Sequence, residues 1–236
     1  MSKEGFSIIT VTNRNYSIDN LFKNYNNQIF TEKELIIIIN SDSINISDFN
    51  NYISTIHNIK IFKLSSDITL GECLNFGIEK CQYDFIAKFD DDDYYGPYYL
   101  QESYKSFLHN QCDIVGKNKT YYYIEKNKEL MLKKDGYENQ YTNSIMGSTI
   151  CFRKKIYNTI NFKNISSRED FYFVKESVKY GYKVFSSSSY NHIVFKHADN
   201  NKHTFKSNMD ILISKCETIK SNISFYECLD IINLST

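Results

Sequence analysis

The stretch DFIAKFDDDDYYGP, residues 84–97, gives the strongest structural signal in this chain of 236 residues. Its first half is short and mostly apolar, which predicts a buried strand over residues 84–89. Four consecutive aspartates, Asp90 to Asp93, follow that strand directly. Close carboxylates repel one another by roughly 1 kcal/mol per pair even in water, so a run of four needs a structural or functional reason.

The chain upstream of this stretch alternates predicted strands and helices. The predicted strands cover residues 6–12, 34–39, 59–64 and 84–89, and the predicted helices cover residues 18–25, 47–56 and 69–80. The second strand is almost all isoleucine, which is typical of a strand covered on both faces. This order predicts an α/β fold with a mostly parallel sheet flanked by helices.

The chain downstream changes character. The predicted helices cover residues 97–109 and 167–179, and the predicted strands cover residues 112–124, 129–132, 147–152, 182–185 and 190–196. The strands on either side of the turn at residues 126–128 predict a smaller antiparallel hairpin region. We expect one domain over residues 1–206, with halves 1–97 and 98–206, and a C-terminal helical extension over residues 207–236.

Composition excludes several classes of protein. Lys plus Arg equals Asp plus Glu at 28 each, whereas a protein that binds nucleic acid through its phosphates normally has a basic excess. The sequence has no apolar run long enough to span a membrane, no signal peptide at its start, and six scattered cysteines without metal-finger spacing. We therefore expect a cytoplasmic protein with reduced thiols, and peripheral membrane contact stays open.

Polar segments follow three of the predicted strands. Thr12, Asn13 and Arg14 follow the first, Asn40 ends the second, and the aspartates follow the fourth. Ligands of open α/β sheets bind at the carboxyl ends of the strands, so we expect these side chains to converge. In an extended segment Asp90 and Asp92 share one side, where two carboxylates can hold a hard cation that keeps positions for phosphate oxygens. The alternative is a solvated acidic loop.

Several segments resemble the family 2 glycosyltransferases, which have the GT-A fold. The stretch at residues 84–97 resembles their D-x-D region, and the similarity continues through LGECLNFGI (70–78), GSTICFR (147–153), RED (168–170) and GYKV (181–184). The resemblance covers residues 5–206. It implies metal-dependent transfer of a sugar from a nucleotide-sugar donor, UDP-linked, to a hydroxyl of a glycan, a lipid-linked or a protein acceptor, with inversion.

The resemblance also implies roles for single residues. Asp90 would contact the ribose and, with Asp92, hold Mn²⁺ or Mg²⁺, while Asp91 belongs to the nucleotide site. Thr12, Asn13 and Arg14 match the segment near the nucleobase. Asn40 stands where the family usually has Asp, and Leu74 where many members have Arg, so the chain departs from the family pattern at both positions. Lys88, inside the strand, either has a structural role or offsets the acidic run.

The family places its catalytic base in an acidic pair at a helix start, which matches Glu169 and Asp170, with Asp170 as the base. From the residues alone, Ser167 and Asp170 also fit a capping box. Gly147 and Ser148 would border the donor and acceptor sugars.

The segment HTFK, residues 203–206, resembles a C-terminal element of some bacterial members. The resemblance implies that His203 completes the metal shell and that Lys206 pairs with phosphate, with His197 a weaker candidate. The alternative for each is an exposed loop side chain.

Two other functions remain as alternatives, namely a catalytically inactive sugar- or metal-binding module of the same fold and a sugar-phosphate nucleotidyltransferase. The latter would need a glycine-rich basic loop after the first strand, which residues 12–16 do not provide. A phosphatase that uses D-x-D is disfavoured because three predicted strands precede the strand that ends in the motif.

Overall fold

The computed structural model describes residues 3–54, 56–199 and 208–235. The strands are β1 (Phe6–Thr12), β2 (Lys33–Asn40), β3 (Ile59–Leu64), β4 (Phe85–Lys88), β5 (Tyr94–Tyr95), β6 (Ile114–Gly116), β7 (Tyr121–Ile124), β8 (Glu129–Lys133), β9 (Gln140–Tyr141), β10 (Cys151–Arg153), β11 (Val184–Ser186), β12 (His192–Lys196) and β13 (Cys216–Ser221). The helices are α1 (Ile18–Asn27), α2 (Asn50–Ile53), α3 (Leu70–Lys80), α4 (Tyr99–His109), α5 (Glu169–Lys179), α6 (Met209–Ser214) and α7 (Phe225–Ile232).

The main sheet has eight strands in the order β3-β2-β1-β4-β10-β6-β11-β9. Its first four strands are parallel, so their carboxyl ends meet at one edge. The sequence predicts this half well because its strands are short and mainly apolar. In β2, all six residues from Glu34 to Ile39 are buried. The α/β fold with a mostly parallel sheet is confirmed, although β10 joins the sheet antiparallel to β4 and β6.

Helices cover both faces of the main sheet. α3 lies against β1 and β2, and it begins at a capping box in which Thr69 accepts a hydrogen bond from the Glu72 amide while Glu72 accepts one from the Thr69 amide. Two apolar clusters result, one on each face, because alternate residues of β1 and β2 point in opposite directions.

A second sheet has five strands in the order β13-β8-β7-β12-β5. It contains the predicted hairpin, in which β7 pairs antiparallel with β8. β5 directly follows the acidic run and pairs with β12, so the chain connects the end of β4 to this second sheet through the aspartates.

Four predictions of secondary structure need correction. The predicted strand over residues 112–124 is two strands in two sheets, because the chain leaves the main sheet at the buried Lys117, whose Nζ donates to Glu102 at 3.1 Å. Residues Gly147–Thr149 form a 3₁₀ turn before β10, and residues Ile46–Phe49 form another before the short α2. The predicted C-terminal helices are interrupted by β13, which extends the second sheet.

No helix within the described parts of the chain combines the length and apolar character needed to cross a bilayer. The longest of them have 11 residues.

Candidate active site

A cleft of about 580 Å³ opens at the carboxyl ends of the parallel strands. It brings together most of the predicted site residues, namely Asn13, Arg14, Asn40, Lys88, Asp90, Asp91, Asp92, Gly147, Ser148, Glu169 and Asp170. Asp93, for which no role was predicted, lines the cleft as well. Residues separated by more than half the chain therefore meet in one space, as the convergence of strand ends predicts.

The four aspartates alternate between buried and partly exposed side chains. Asp91 and Asp93 keep 7% and 6% of their side-chain surface, while Asp90 and Asp92 keep 37% and 16%. The second pair is therefore the one that solvent or a ligand in the cleft can reach, as expected for alternate residues of one segment.

Asp91 is tied to the end of β1. Thr12 donates its hydroxyl to Asp91 at 2.6 Å, and Arg14 forms ion pairs with Asp91 at 3.1 Å and with Asp92 at 2.7 Å. Burial raises the pKa of Asp91 to about 7, although Arg14 opposes that rise. Asn20 supports the same turn, since its amide donates to the carbonyl oxygens of Asp91 and Asp93. These contacts fix the shape of the acidic run.

Asp93 connects the acidic run to β12. It accepts a hydrogen bond from the Phe195 amide at 3.1 Å, and its other oxygen lies 3.6 Å from Nε2 of the fully buried His192. Burial opposes the charge of Asp93, but His192 and nearby polar groups hold its pKa below the usual value. Burial also lowers the pKa of His192, so its neutral form is favoured.

Tyr95 joins the acidic run to the 3₁₀ turn at Gly147. Its buried hydroxyl accepts a hydrogen bond from the Asp90 amide at 2.7 Å and donates one to the Ser148 carbonyl at 2.6 Å. Its ring stacks on Phe89 with centroids 3.7 Å apart. This contact holds Gly147 and Ser148 at a fixed place beside Asp90.

Lys88 is a second cation among these carboxylates, besides Arg14. Its side chain is 7% exposed, forms a very short ion pair with Asp90, and lies 3.5 Å from the Gly147 carbonyl oxygen. Burial opposes its charge, but the carboxylates of Asp90, Asp170 and Glu169 outweigh burial and raise the pKa of Lys88. Of the two roles open from sequence, the contacts favour charge compensation of the acidic cluster.

Asp170 and Glu169 begin α5. Arg168 precedes them with φ of 66°, a left-handed backbone that turns the chain into the helix. One Asp170 oxygen accepts a hydrogen bond from the Phe171 amide at 2.6 Å, and the other lies over the α-carbon of Gly147. Glu169 is buried, and burial raises its pKa. The N-cap of this helix is Arg168, not Ser167, and the Arg168 side chain makes no capping hydrogen bond.

A second, smaller hollow of about 310 Å³ adjoins the cleft. The two spaces share three lining residues, which are Met146, Gly147 and Asp170. Asp170 therefore lies on the wall between two spaces, and Glu169 lines only the larger one.

Asn40 holds a loop of the cleft. Its amide nitrogen donates to the carbonyl oxygens of Ser65 at 2.7 Å and Ile68 at 3.2 Å. Because the nitrogen is used in this way, the side-chain oxygen is the atom through which Asn40 can accept a hydrogen bond from a ligand.

Asp90 and Asp92 are the residues that could hold a metal. Within the described residues, no three His, Cys, Asp or Glu side chains converge as a complete metal-binding group. Two partly exposed carboxylates fit Mg²⁺ or Mn²⁺, since such ions bind through one or two carboxylates and fill other positions with phosphate oxygens and water.

The other predicted residues are not part of the cleft lining as the structure describes it. Thr12 does not line the cleft but contacts Asp91, which does. His197 does not line the cleft; its ring lies 3.6 Å from Glu125 and packs on Phe195. His203 and Lys206 fall outside the described residues. Sequence reasoning overlooked Lys196, which ends β12 and lines the cleft, although its position at a strand end could have revealed it.

Comparisons with known proteins are consistent with this geometry. The model of the family described as Glycosyl transferase family 2 matches residues 7–175. The chain is 34% identical over 102 residues to the O-antigen biosynthesis glycosyltransferase WbnJ of Escherichia coli, a match that covers 42% of this chain and 38% of that protein.

Two solved structures are similar in fold. The S. aureus TarS 1-349 complex with UDP-GlcNAc has a TM-score of 0.64 at 16% identity, over 85% of this chain and 62% of that one. The mannosyltransferase PcManGT of Pyrobaculum calidifontis, in complex with GDP-Man and Mn²⁺, has a TM-score of 0.62 at 10% identity, over 86% and 59%. The chain thus spans less than two thirds of each relative's length.

Proposed function

The chain belongs to glycosyl transferase family 2, and from that premise we propose that it moves a sugar from a nucleoside-diphosphate donor to an acceptor hydroxyl, with inversion at the anomeric carbon. One observation carries the proposal: the Asp170 carboxylate lies on the wall between the large cleft and the adjoining hollow. A base that faces donor space on one side and acceptor space on the other is what a direct displacement requires.

The charge of the cleft supports metal dependence. Its described lining residues include seven carboxylates, in Asp67, Asp90, Asp91, Asp92, Asp93, Glu169 and Asp170, but four cations, in Arg14, Lys88, Arg168 and Lys196. The carboxylates outnumber the cations even without Asp91, whose pKa burial raises to about 7, and a nucleoside diphosphate is itself an anion that this cleft would repel. A divalent cation held by Asp90 and Asp92 would reverse that repulsion and neutralise the departing diphosphate.

The residues of the chain would divide the reaction between them. Asp170 takes the proton from the acceptor hydroxyl while that oxygen bonds to the anomeric carbon and the bond from this carbon to the diphosphate oxygen breaks. Lys88 compensates the charge beneath Asp90 and Asp170, and Gly147 leaves room for the Asp170 carboxylate. Positioning supplies much of the rate, since Asp170 is held by the first turn of α5.

A uridine nucleotide is the donor that we propose. The side-chain oxygen of Asn40 is left to accept a hydrogen bond, and uracil offers an imide N–H where cytosine has none. Relatives of the same fold were solved with UDP-GlcNAc and with GDP-Man, so a nucleotide-linked sugar is common to both.

Release of UDP from UDP-sugars in the presence of Mn²⁺ tests this function. We expect slow hydrolysis by the intact chain and a loss of at least about 100-fold for Asp92→Ala, since a cation-stabilised leaving group is worth several kcal/mol. The matched control is Asp67→Ala, which removes an exposed carboxylate of the same cleft and should keep the rate. Full activity of Asp92→Ala would refute the metal assignment, and an intact chain that binds UDP but never releases it from any donor would favour the inactive module.

A further inference from the structure

The hollow next to Asp170 has a chemical character of its own. Its floor is apolar, formed by Ile145, Met146 and Val174, and the ring of Phe171 stands at its edge with 46% of the residue exposed. Exposed aromatic rings beside apolar side chains suit the flat apolar face of a sugar ring. A volume of about 310 Å³ lies at the small end of ligand pockets, so the hollow suits one or two sugar units.

Two lysines give the hollow a positive charge. Lys133 and Lys175 line it, and Asp170 is the one acid among the described lining residues. Lys133 donates to the Asn118 carbonyl at 3.0 Å, and Lys175 lies 5.8 Å from the centre of the Phe171 ring. Neither ammonium group forms an ion pair with a carboxylate in the described residues. The main cleft, in contrast, has an acidic excess.

Hydrogen bonds of the Asn118 side chain hold one wall of the hollow in place. The Asn118 side chain donates to the Ser144 carbonyl at 2.6 Å and accepts from the Tyr137 amide at 2.9 Å, which closes the loop before Gly147 over the hollow. β8 supplies Lys133 and the second turn of α5 supplies Lys175. The two cations thus come from separate elements and stand over one space.

From this arrangement we infer that the hollow is the acceptor site and that it selects an acceptor with an anionic group, a sugar carboxylate or a phosphate ester, near the reacting hydroxyl. The inference rests on the proposed function, because it takes Asp170 as the base. The anionic group would pair with Lys133 and Lys175, the sugar ring would lie on Phe171, and the hydroxyl would point at Asp170. Charge-assisted hydrogen bonds of this kind are among the stronger contacts in binding sites.

Ligand-observed NMR on the full chain with UDP and Mg²⁺ tests the inference without an identified acceptor. The probes are a methyl glycoside, the corresponding methyl glycuronide and the glycoside phosphorylated on its primary hydroxyl, each in gluco and galacto configurations. The carboxylate and phosphate probes separate the two sources of negative charge. We expect at least one of them to bind about tenfold more tightly than its neutral counterpart.

Substitutions test which residues cause the tighter binding of the anionic probes. Lys133→Met and Lys175→Met should each remove most of it, and Lys175→Arg should retain it because the charge remains. Lys179→Met, one turn further along α5, is the matched control and should bind as the intact chain does. Equal or absent binding of the anionic probes, or a preference that survives both methionine substitutions, would overturn the inference. Nucleotide uptake, measured separately by calorimetry, shows whether the proposed function itself has failed.

Discussion

The Asp170 carboxylate lies so close to the α-carbon of Gly147 that a Cβ atom at position 147 would overlap the Oδ2 oxygen. The absence of a side chain at Gly147 is therefore what lets Asp170 lie between the two spaces. The same turn is fixed from below by Tyr95, which bonds to the Ser148 carbonyl. Gly147 therefore has a steric role, in addition to being part of the segment GSTICFR at residues 147–153.

Gly147→Ala should displace the Asp170 carboxylate and lower kcat by about 100-fold or more, the range expected when general-base catalysis is lost. The added methyl group would contact only the end of the Asp170 side chain, at the surface of the cleft. The thermal unfolding midpoint should therefore change little. Steady-state transfer kinetics and a thermal melt check both statements. Unchanged kcat would mean that the position of this carboxylate does not matter.

Asp170→Asn should retain UDP binding and lose transfer by about 10²- to 10⁴-fold, because an amide cannot accept the acceptor's proton. Glu169→Gln is the matched variant, since Glu169 lies one residue earlier in the same helix turn but does not line the hollow. Glu169→Gln should lower the rate of transfer much less than Asp170→Asn does. If the two variants exchange these effects, Glu169 is the base.

Lys88→Met should lower the free energy of unfolding by about 2 kcal/mol, because it leaves the neighbouring carboxylates without their cation. This decrease should be smaller than for a fully buried ion pair, because Asp90 is partly exposed. Lys179→Met is the control: Lys179 pairs with Glu176 at 3.9 Å and is 74% exposed, so its loss should cost less than about 1 kcal/mol. Urea unfolding of both variants measures the difference. Equal effects would contradict a charge-compensating role for Lys88.

Added Mn²⁺ with UDP should narrow the stability gap between Lys88→Met and the intact chain, because a bound cation replaces part of the missing positive charge. Thermal melts with and without Mn²⁺ and UDP provide the comparison. If the stability difference between Lys88→Met and the intact chain stays constant as Mn²⁺ and UDP are added, the charge of Lys88 is not linked to the metal site.

Much of the parallel half of the fold can be predicted from its residues. The bounds of β1 and β3 agree with the predicted ones, and the predicted helix over residues 69–80 matches α3 with Thr69 as its N-cap. These elements are easy to predict because apolar runs and amphipathic stripes are local patterns.

The second half is harder because its pairing partners are distant in sequence. The polar segment GKNKT at residues 116–120 interrupts the apolar pattern of residues 112–124, but nothing local reveals that Gly116 ends a strand of one sheet while Tyr121 begins a strand of the other. The change of sheet depends on Lys117 reaching Glu102 and Ser188, contacts that only the tertiary structure defines.

As with the fold, only part of the arrangement of the candidate site could be predicted from the sequence. The alternation of the aspartates and the convergence of strand ends follow from strand geometry, and Asp170 follows from the resemblance. The contact between Gly147 and Asp170, the hydroxyl of Tyr95 that links Asp90 to Ser148, and the lysines of the hollow all join distant segments. Such contacts leave no periodic pattern in the sequence.

Calorimetry of UDP binding, with and without Mn²⁺, tests the central claim most directly, namely that Asp90 and Asp92 hold a cation that lets an acidic cleft accept a diphosphate. We predict uptake of one UDP per chain with Mn²⁺, and binding at least about tenfold weaker when the metal is chelated or Asp92 is replaced by alanine. UDP binding of equal strength without the metal, or no binding by the folded chain with Mn²⁺ present, would contradict the account.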